Sequence, residues 1–368
     1  MSLKKDKFTQ KNKYFMNLAL NLASQHSGLT GNNPSVGCII VKNDIVISTG
    51  HTSLNGRPHA EYNAIKNSKE NLNGSTMYVT LEPCNHYGKT QPCTNLIIKS
   101  QLKEVIYSVE DVDQRTMNKS KKILKKENII VRSGLLKKKV NIFYKNYYYN
   151  RIQKMPFVTG KIAISKNNLI YTKKQKRITN KYSDQLKNLL RYRNDSILIS
   201  SKTLNIDNPR LNCRIYGLEK FSPKRIILDK SLNTNISSYI FKTVKKNNTI
   251  IFYNKGSHKK INAFIKKGVI LVKHKLTKDD NFDLRSILKK LYYLNCRNLL
   301  VEGGKNLSID FFNNKLFNQF YLFKSDRIIQ KIYDYKEFNP LNYLSKNYKY
   351  RSKINTFLGE DTVYLYTN

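Results

Sequence analysis

The chain has 368 residues, of which 40% are hydrophobic, and it carries 67 lysine and arginine residues against 25 acidic ones, a formal net charge of +42. This length exceeds what one ordinary hydrophobic core organises and predicts two domains. The positive charge is mostly lysine and is spread over both halves of the chain, whereas phosphate-reading surfaces are more often localised and rich in arginine. Composition therefore indicates no nucleic-acid partner, although the charge would help attract a small phosphorylated substrate.

The cysteine content and the first residues indicate a protein of the reducing cytoplasm. Five cysteines in a chain of this length do not suggest a disulfide framework. The first seven residues are polar, unlike an apolar signal segment, and the sequence contains no run of about 18 apolar residues. We therefore expect a cytoplasmic protein that does not span a membrane.

The first part of the chain alternates between helical and strand patterns. An amphipathic helix over 13–25 precedes an apolar hairpin with strands over 36–41 and 45–49. The later elements are predicted as a helix over 59–68, a strand over 76–81, a helix over 93–100, a strand over 105–109 and helices over 117–126 and 135–150. This alternation predicts a three-layer α/β/α domain at residues 1–150, followed by a linker at 151–156.

The second part of the chain, residues 157–368, repeats the α/β alternation with different motifs. Its predicted strands cover 157–164, 196–200, 225–228, 249–253, 269–272 and 298–302. Its predicted helices cover 183–192, 259–267, 284–294 and 306–313. The sequence therefore predicts a second α/β domain.

Four residues of the first domain form the pattern of a catalytic zinc site. His59 and Glu61 stand two apart where a helix is predicted to begin. Cys84 follows Pro83 after a predicted strand, and Cys93 opens the next helix. A catalytic zinc needs three protein ligands and one open position, and this order of residues matches the signature of zinc-dependent nucleobase deaminases. The pattern predicts three zinc ligands, with Glu61 as the catalytic proton carrier.

Two other interpretations of these residues remain open at this point. The histidine could be an ordinary core residue beside buried thiols, or the set could hold a structural zinc ion. A His-x-Glu pair by itself is common and weak. The complete order, with a proline before the first cysteine and a strand leading into it, favours the catalytic site.

The loop between the two cysteines narrows the prediction to one family. Eight residues separate Cys84 from Cys93 instead of the usual two, and the segments 83–93, 33–37 and 58–61 closely resemble the bifunctional deaminase/reductase family of riboflavin biosynthesis. The resemblance implies a cytidine-deaminase-like fold and hydrolytic deamination of 2,5-diamino-6-(5-phosphoribosylamino)pyrimidin-4(3H)-one. It also implies substrate contacts at Asn33, His86 and Lys89, with an ordinary loop role as the alternative for the last two.

One loop of the first domain departs from the family pattern. After the strand over 105–109 the family has an Asp-Pro-Asn-Pro segment and then a Gly-x-Gly turn, whereas this chain keeps Asp111 but has neither the prolines nor the glycines. Asn118 still tolerates a positive φ, and Ser120 does so less well. The sequence therefore specifies the zinc chemistry more firmly than the substrate affinity.

The resemblance extends, more thinly, over nearly all of 157–368. It implies a dihydrofolate-reductase-like domain that uses NADPH to convert the ribosylamino side chain into a ribitylamino chain. The matching segments are 161–165, 203–211, 214, 225–229 and 301–304. By resemblance, the residues along NADPH are Ala163, Thr203, Asp207 and Gly304. By resemblance, the residues facing the substrate are Arg191, Leu211, Arg214 and Glu302.

Three of these assignments have a physical basis in the residue types. A guanidinium group at Arg191 or Arg214 can bind a phosphate through two parallel hydrogen bonds. Gly303 and Gly304, between a predicted strand and a predicted helix, let the backbone approach a pyrophosphate at the amino terminus of that helix. Neither an arginine nor a strand-Gly-Gly-helix sequence is specific when taken alone.

We expect the bifunctional enzyme to form a homo-oligomer. Departures from the family pattern in the second domain leave two alternatives to a bifunctional enzyme. Asn167 and Asn168 replace the family's Asp-Gly, and Arg177 stands where a tryptophan is usual. The first alternative is therefore a deaminase whose reductase domain is degenerate. The second is a nucleic-acid-binding or editing deaminase, for which the long loop over 84–93 is atypical.

Overall fold

The computed structural model describes residues 8–172, 177–245, 248–331 and 334–368. The chain divides into two units, Met1–Lys154 and Met155–Asn368. The division falls inside the predicted linker at 151–156, whose first three residues form the end of a helix. None of the described helices is both long and apolar enough to cross a membrane.

The first unit is built on a five-stranded sheet. Its strands are β1 (Gly37–Lys42), β2 (Ile45–His51), β3 (Thr76–Leu81), β4 (Glu104–Val109) and β5 (Ile130–Ser133). Its helices are α1 (Gln10–Gln25), α2 (Ala60–Asn67), α3 (Cys93–Lys99), α4 (Ser120–Lys126), α5 (Lys137–Phe143) and α6 (Lys145–Gln153). The strand order is β2-β1-β3-β4-β5, in which β1 is antiparallel to β2 and β3 while β3, β4 and β5 are parallel.

Helices cover both faces of this sheet. Successive residues of a strand point to opposite faces, so apolar residues of β1 pack against helices on both sides. Ile39 and Val41 of β1 pack in a cluster with the apolar face of α1. Cys38 and Ile40 pack in a second cluster with residues of α2, α3 and α4. The predicted three-layer α/β arrangement is therefore confirmed.

Several predicted helices of this unit differ from the observed ones in their bounds, among them the helix predicted from 13, which begins at Gln10. The helix predicted over 135–150 is two helices that meet at Tyr144, whose buried hydroxyl group contacts Thr80 Oγ1 at 2.6 Å and the Ser35 carbonyl at 3.1 Å. The helix predicted from 117 begins at Ser120, since Asn118 has a φ of 60° and cannot belong to a right-handed helix.

The second unit is built on a nine-stranded sheet and a two-stranded sheet. Its strands are β6 (Phe157–Ile164), β7 (Leu169–Thr172), β8 (Ser196–Ser200), β9 (Lys224–Leu228), β10 (Thr249–Tyr253), β11 (Ile270–Lys273), β12 (Asn298–Val301), β13 (Gln319–Lys324), β14 (Tyr335–Glu337), β15 (Tyr350–Lys353) and β16 (Thr362–Thr367). Its helices are α7 (Lys181–Arg193), α8 (Ser201–Asp207), α9 (Tyr239–Lys242), α10 (His258–Lys266), α11 (Leu284–Tyr293), α12 (Lys305–Asn313) and α13 (Leu341–Asn347).

The large sheet has the strand order β11-β10-β9-β8-β12-β6-β13-β16-β15. The seven strands from β11 to β13 are parallel, and β16 and β15 continue the sheet antiparallel. Strand β12 lies between β8 and β6, so the carboxyl ends of these three strands meet at one edge. Ligands of parallel α/β sheets bind at this edge. The predicted α/β class is confirmed here too, although β7 and β13 to β16 were not predicted.

Candidate functional site

The helix α2 brings His59 and Glu61 together at its amino terminus. His59 is the residue that caps the helix, and Glu61 lies in the first turn with its side chain 4% exposed. The helix rests directly on β2 at Gly50, where a Cβ atom would come within 2.2 Å of the Ala60 carbonyl oxygen. A glycine at this position lets α2 approach the sheet closely enough to hold both side chains in place.

The two cysteines reach the same place from the loop that follows β3. Cys84 lies in that loop, and Cys93 is the first residue of α3. The Thr94 amide donates to the Cys84 carbonyl at 3.1 Å, and the Cys93 amide donates to the Cys84 sulfur at 3.4 Å. These bonds close the long loop between the cysteines and bring the two thiols side by side.

The three predicted ligands have the spacing that a tetrahedral zinc ion requires. His59 Nδ1 lies 3.6 Å from Cys84 Sγ and 3.5 Å from Cys93 Sγ, and all three atoms lie within 4.8 Å of one another. Zinc bonds of about 2.3 Å to sulfur and about 2.0 Å to nitrogen at tetrahedral angles place nitrogen and sulfur about 3.6 Å apart. The donor set therefore fits zinc in both chemistry and distance.

The electrostatics of the cluster suit metal binding and proton transfer. Burial raises the pKa of the Glu61 carboxyl to about 7, although His59 acts in the opposite direction. The hydrogen bond from the Cys93 thiol lowers the pKa of Cys84 to about 4, to which His59 also contributes. The same hydrogen bond, together with burial, raises the pKa of Cys93. These shifts favour the thiolate form of Cys84, beside a carboxyl group whose pKa burial moves towards neutral pH.

The predicted substrate contacts of the first unit lie on loops next to this cluster. The Asn33 side chain donates to the Gly56 carbonyl at 2.8 Å, which ties it to the segment that leads into His59. His86 Nδ1 lies 3.2 Å from Thr116 Oγ1, and Lys89 is exposed in the loop between the two cysteines. The positions are compatible with substrate contacts, and the roles of all three residues stay predictions.

The loop over 111–120, which lacks the family's prolines and glycines, is nevertheless well ordered by hydrogen bonds. Asn118 takes the positive φ that its residue type tolerates, as expected from the sequence, whereas Ser120 does not need one. The carboxylate of Glu82 accepts hydrogen bonds from three backbone amides of the loop. The sequence patterns did not single out Glu82, because a glutamate before Pro-Cys has the same local appearance as any loop carboxylate.

A cleft of about 650 Å³ opens at the carboxyl ends of β6, β8 and β12 in the second unit. It contains all four predicted cofactor residues and three of the four predicted substrate residues, namely Ala163, Thr203, Asp207, Gly304, Arg191, Arg214 and Glu302. Gly304 caps α12, and no side chain caps the first turn of this helix. The cleft therefore offers backbone amides of a helix amino terminus, a group that binds phosphates.

Arg191 is not an isolated phosphate receptor. Its guanidinium group binds Glu302 through two hydrogen bonds of 2.8 Å and also donates to the Asn212 carbonyl at 3.1 Å. Burial alone would raise the pKa of Glu302, but Arg191 outweighs it and lowers that pKa to about 2. Arg214 forms no ion pair with the acidic residues of the described chain, so it is the better placed of the two arginines to receive a phosphate.

Leu211 is not among the residues that line the cleft, and its role as a substrate contact stays a prediction. Its side chain is 1% exposed and packs in the hydrophobic core of the second unit. The residue has a φ of 52°, which turns the side chain away from the direction that an extended backbone would give it. A leucine in this conformation is rare, and the sequence contains no sign of it.

Lys161 is a cleft residue that the sequence patterns did not identify as functional. It lies on β6, lines the cleft, and its ammonium group sits 4.9 Å from the centre of the Phe323 ring. Burial lowers the pKa of Lys161 to about 8, and the negative charge of Glu302 acts in the opposite direction. The signal was a single lysine inside the otherwise apolar strand 157–164, which is an expensive place for a charge.

The structure shows what happens at the residues of the second unit that differ from the family pattern. Asn168 adopts a φ of 62° in the turn between β6 and β7, so it takes the conformation for which glycine is usually needed. The Asn167 side chain accepts a hydrogen bond from the Ile329 amide and donates one to the Ile329 carbonyl. These two bonds hold the turn. Arg177 lines the cleft and pairs with Asp184 at 2.6 Å. The turn is therefore preserved, while the cleft has a charged side chain where the family has an indole.

Two family descriptions match the chain. The cytidine and deoxycytidylate deaminase zinc-binding region matches residues 9–109, and the RibD C-terminal domain matches residues 156–328. The first range contains the histidine, the two cysteines and Glu61. The second contains every cleft residue named above.

Relatives and solved structures match nearly the whole chain. The riboflavin biosynthesis protein RibD of Aquifex aeolicus is 31% identical over 353 residues, which cover 95% of this chain and 97% of that protein. A deaminase/uracil reductase from Thermotoga maritima is 27% identical with a TM-score of 0.78, and the match covers 96% of this chain and 98% of that chain. Acinetobacter baumannii RibD has the same fold, with a TM-score of 0.82 and 24% identity. The match covers 97% of this chain and 99% of that chain. The chain therefore belongs to the RibD family of riboflavin biosynthesis proteins and combines a deaminase domain with a reductase domain.

Proposed function

We propose that this chain deaminates 2,5-diamino-6-(5-phosphoribosylamino)pyrimidin-4(3H)-one with the help of zinc and then reduces the ribosylamino side chain with NADPH. The observation that carries the proposal is the meeting of His59, Cys84 and Cys93 at zinc-binding distances beside the buried carboxyl group of Glu61. The relative from Thermotoga maritima is described as a deaminase and reductase of diaminohydroxyphosphoribosylaminopyrimidine and its uracil product, which supports this substrate class.

In the deamination, the ring C–N bond to the 2-amino group is exchanged for a C–O bond from water, and ammonia leaves. A zinc ion held by the histidine and the two thiolates supplies Lewis acidity that lets water lose a proton near neutral pH. Glu61 accepts that proton and donates it to the adjacent ring nitrogen. It then takes the remaining proton of the added hydroxyl group, which becomes the carbonyl oxygen, and passes it to the leaving amino group. Its pKa of about 7 makes both directions of transfer accessible near neutral pH.

In the reduction, a hydride and a proton open the ribosyl ring to a ribityl chain. NADPH supplies the hydride when it is bound in the cleft. Lys161 holds a proton that can pass to the ring oxygen as the ring opens, since its ammonium group lines the cleft and has a pKa of about 8. Arg214 binds the substrate phosphate, while the pair of Arg191 and Glu302 shapes the floor of the site.

Zinc ligation can be tested through Cys93. We expect Cys93→Ser to reduce the zinc content well below one ion per chain, because a serine hydroxyl is a poor substitute for a thiolate ligand. The measurement is metal analysis of the purified protein by mass spectrometry. Cys296→Ser is the matched control, since Cys296 is also a buried free cysteine but lies in the second unit. Full zinc occupancy in Cys93→Ser would remove this residue from the ligand set.

The reductase half of the proposal is tested by NADPH oxidation with the deaminated intermediate. We expect NADPH absorbance at 340 nm to fall only when the intermediate is present, with the ribitylamino product accumulating in equal amount. An unrelated phosphorylated pyrimidine, uridine monophosphate, serves as the control substrate. Absence of turnover above background would leave a deaminase with a degenerate reductase domain, the alternative that Arg177 in the cleft favours.

A further inference from the structure

Glu82 gathers one loop of the deaminase unit around a single buried carboxylate. The residue stands between the end of β3 and the zinc-ligand loop, and its side chain is 3% exposed. Its Oε2 accepts hydrogen bonds from the Asp111 amide at 3.2 Å and the Asn118 amide at 3.1 Å, and its Oε1 accepts one from the Ser120 amide at 3.2 Å. Three amides that are spread over ten residues therefore converge on one side chain.

Hydrogen bonds hold the loop, because its own covalent structure does little to fix it. The Asp113 carbonyl accepts the Thr116 and Met117 amides within the loop, and Glu82 anchors both ends of the loop from outside it. Residues 111–120 contain neither proline nor glycine, so no residue type restricts the backbone to one conformation. Buried amides need hydrogen-bond partners, and an ionised carboxylate is a strong one. Loss of the acceptor would leave several amides without it and would allow the loop to change its conformation.

The same loop also contacts the segment that holds the zinc ligands. Thr116, which is fully buried, places its hydroxyl group 3.2 Å from His86 Nδ1. Ser120 donates through its hydroxyl group to the Pro83 carbonyl at 2.5 Å. Movement of the loop would therefore release the side chain of His86, two residues after the ligand Cys84.

We propose that Glu82 is a positioning residue of the deaminase site. Its carboxylate sets the conformation of the loop over 111–120 and, through Thr116, orients His86 towards the substrate phosphate. Glu82 itself touches neither the substrate nor the zinc ligands' donor atoms in this role. The inference rests on the proposed function, because it takes His86 as a substrate contact.

The experiment compares Glu82→Gln with Glu104→Gln in the full-length zinc-loaded protein. Glutamine keeps the size of the side chain but places an amide NH₂ group against backbone N–H donors. Glu104 is a suitable control, because it pairs with Arg132 at 2.6 Å at the opposite end of β4 from the loop. We expect Glu82→Gln to raise the KM of the diaminopyrimidine substrate about 10-fold or more, with kcat changed less than about threefold and zinc content unchanged.

Hydrogen–deuterium exchange of the peptide over 110–121 measures the loop without any substrate. We expect faster exchange in Glu82→Gln and unchanged exchange in Glu104→Gln. A second variant, Thr116→Val, keeps the amide bonds to Glu82 and removes only the hydroxyl group that faces His86. We expect it to raise KM without faster exchange, which a merely destabilised fold would not produce.

Each result decides the inference. Unchanged exchange or unchanged KM in Glu82→Gln would overturn it, and so would a parallel loss of zinc and activity, which would assign Glu82 to the metal site. Thr116→Val with wild-type KM would overturn the link to His86. A wild-type protein that does not deaminate the substrate would overturn the proposed function and the role of His86 with it, while the exchange data would still decide whether Glu82 holds the loop.

Discussion

Replacement of Glu61 by glutamine is expected to lower kcat for deamination by about 10²–10⁴-fold, the range that general acid–base catalysis contributes. Glutamine has nearly the same shape as glutamate, but it can neither accept the proton from water nor return it to the ring nitrogen and the amino group. The measurement is ammonia release from the diaminopyrimidine substrate. Zinc content is expected to stay at one ion per chain, because Glu61 is not one of the three ligands.

The same variant separates lost chemistry from a lost fold. Glu61 is 4% exposed, so an uncharged amide avoids the cost of burying a carboxylate, and we expect a melting temperature no lower than that of the wild type. Glu104→Gln, at the far end of β4, serves as the control for the substitution itself. Retained turnover in Glu61→Gln would refute the assignment of Glu61 as the proton carrier.

Replacement of Lys161 by methionine is expected to slow NADPH-dependent reduction by about 10²-fold or more. Methionine fills the same volume beside Phe323 but holds no proton for the ring oxygen. NADPH binding, followed by fluorescence titration, is expected to be unchanged. Lys166→Met is the control, because Lys166 follows β6 at the surface and pairs with Asp326 at 3.1 Å.

The pH dependence of the wild-type reduction gives an independent test of the same residue. Burial lowers the pKa of Lys161 to about 8, so the ammonium form predominates below that pH and the neutral amine above it. A role as proton donor requires the ammonium form, and the rate is therefore expected to fall as the pH rises through about 8. Lys161→Met should lack this decline. A wild-type rate that stays constant from pH 7 to 9.5 would contradict the role.

The elements that the sequence predicted well have a strong local signal. Strand β6 was predicted with the bounds that the structure has, because apolar residues predominate in it and a proline precedes it. The helix predicted over 135–150 shows the limit of such signals, since its break at Tyr144 depends on Thr80 and Ser35, which are distant in sequence. The hydrophobic periodicity of a segment does not show that one of its side chains is held by residues distant in the sequence.

The candidate site residues show the same contrast between a local sequence signal and contacts with distant residues. Leu211 was assigned from its place in a motif, and the motif did not show that its side chain packs in the core. Lys161 and Glu82 were not singled out, although Lys161 opens the matching segment 161–165 and Glu82 directly precedes Pro83 and Cys84. Their interest comes from what surrounds them in the folded chain. Burial and the charges of residues from other elements shift the pKa of a side chain, and no local sequence feature contains that information.

Two predictions about this protein follow from residue order alone: the candidate zinc-ligand set with its carboxylate, and the α/β character of both units. Ligand type and spacing are chemical requirements, and hydrophobic periodicity is a property of neighbouring residues, so both can be recognised along the chain. The folded chain alone decided that Arg191 is bound to Glu302, that Lys161 lines the cleft and that Glu82 holds the loop over 111–120. Each of these facts depends on distances between residues that are far apart in sequence, and such distances exist only after packing has brought the strands and loops together.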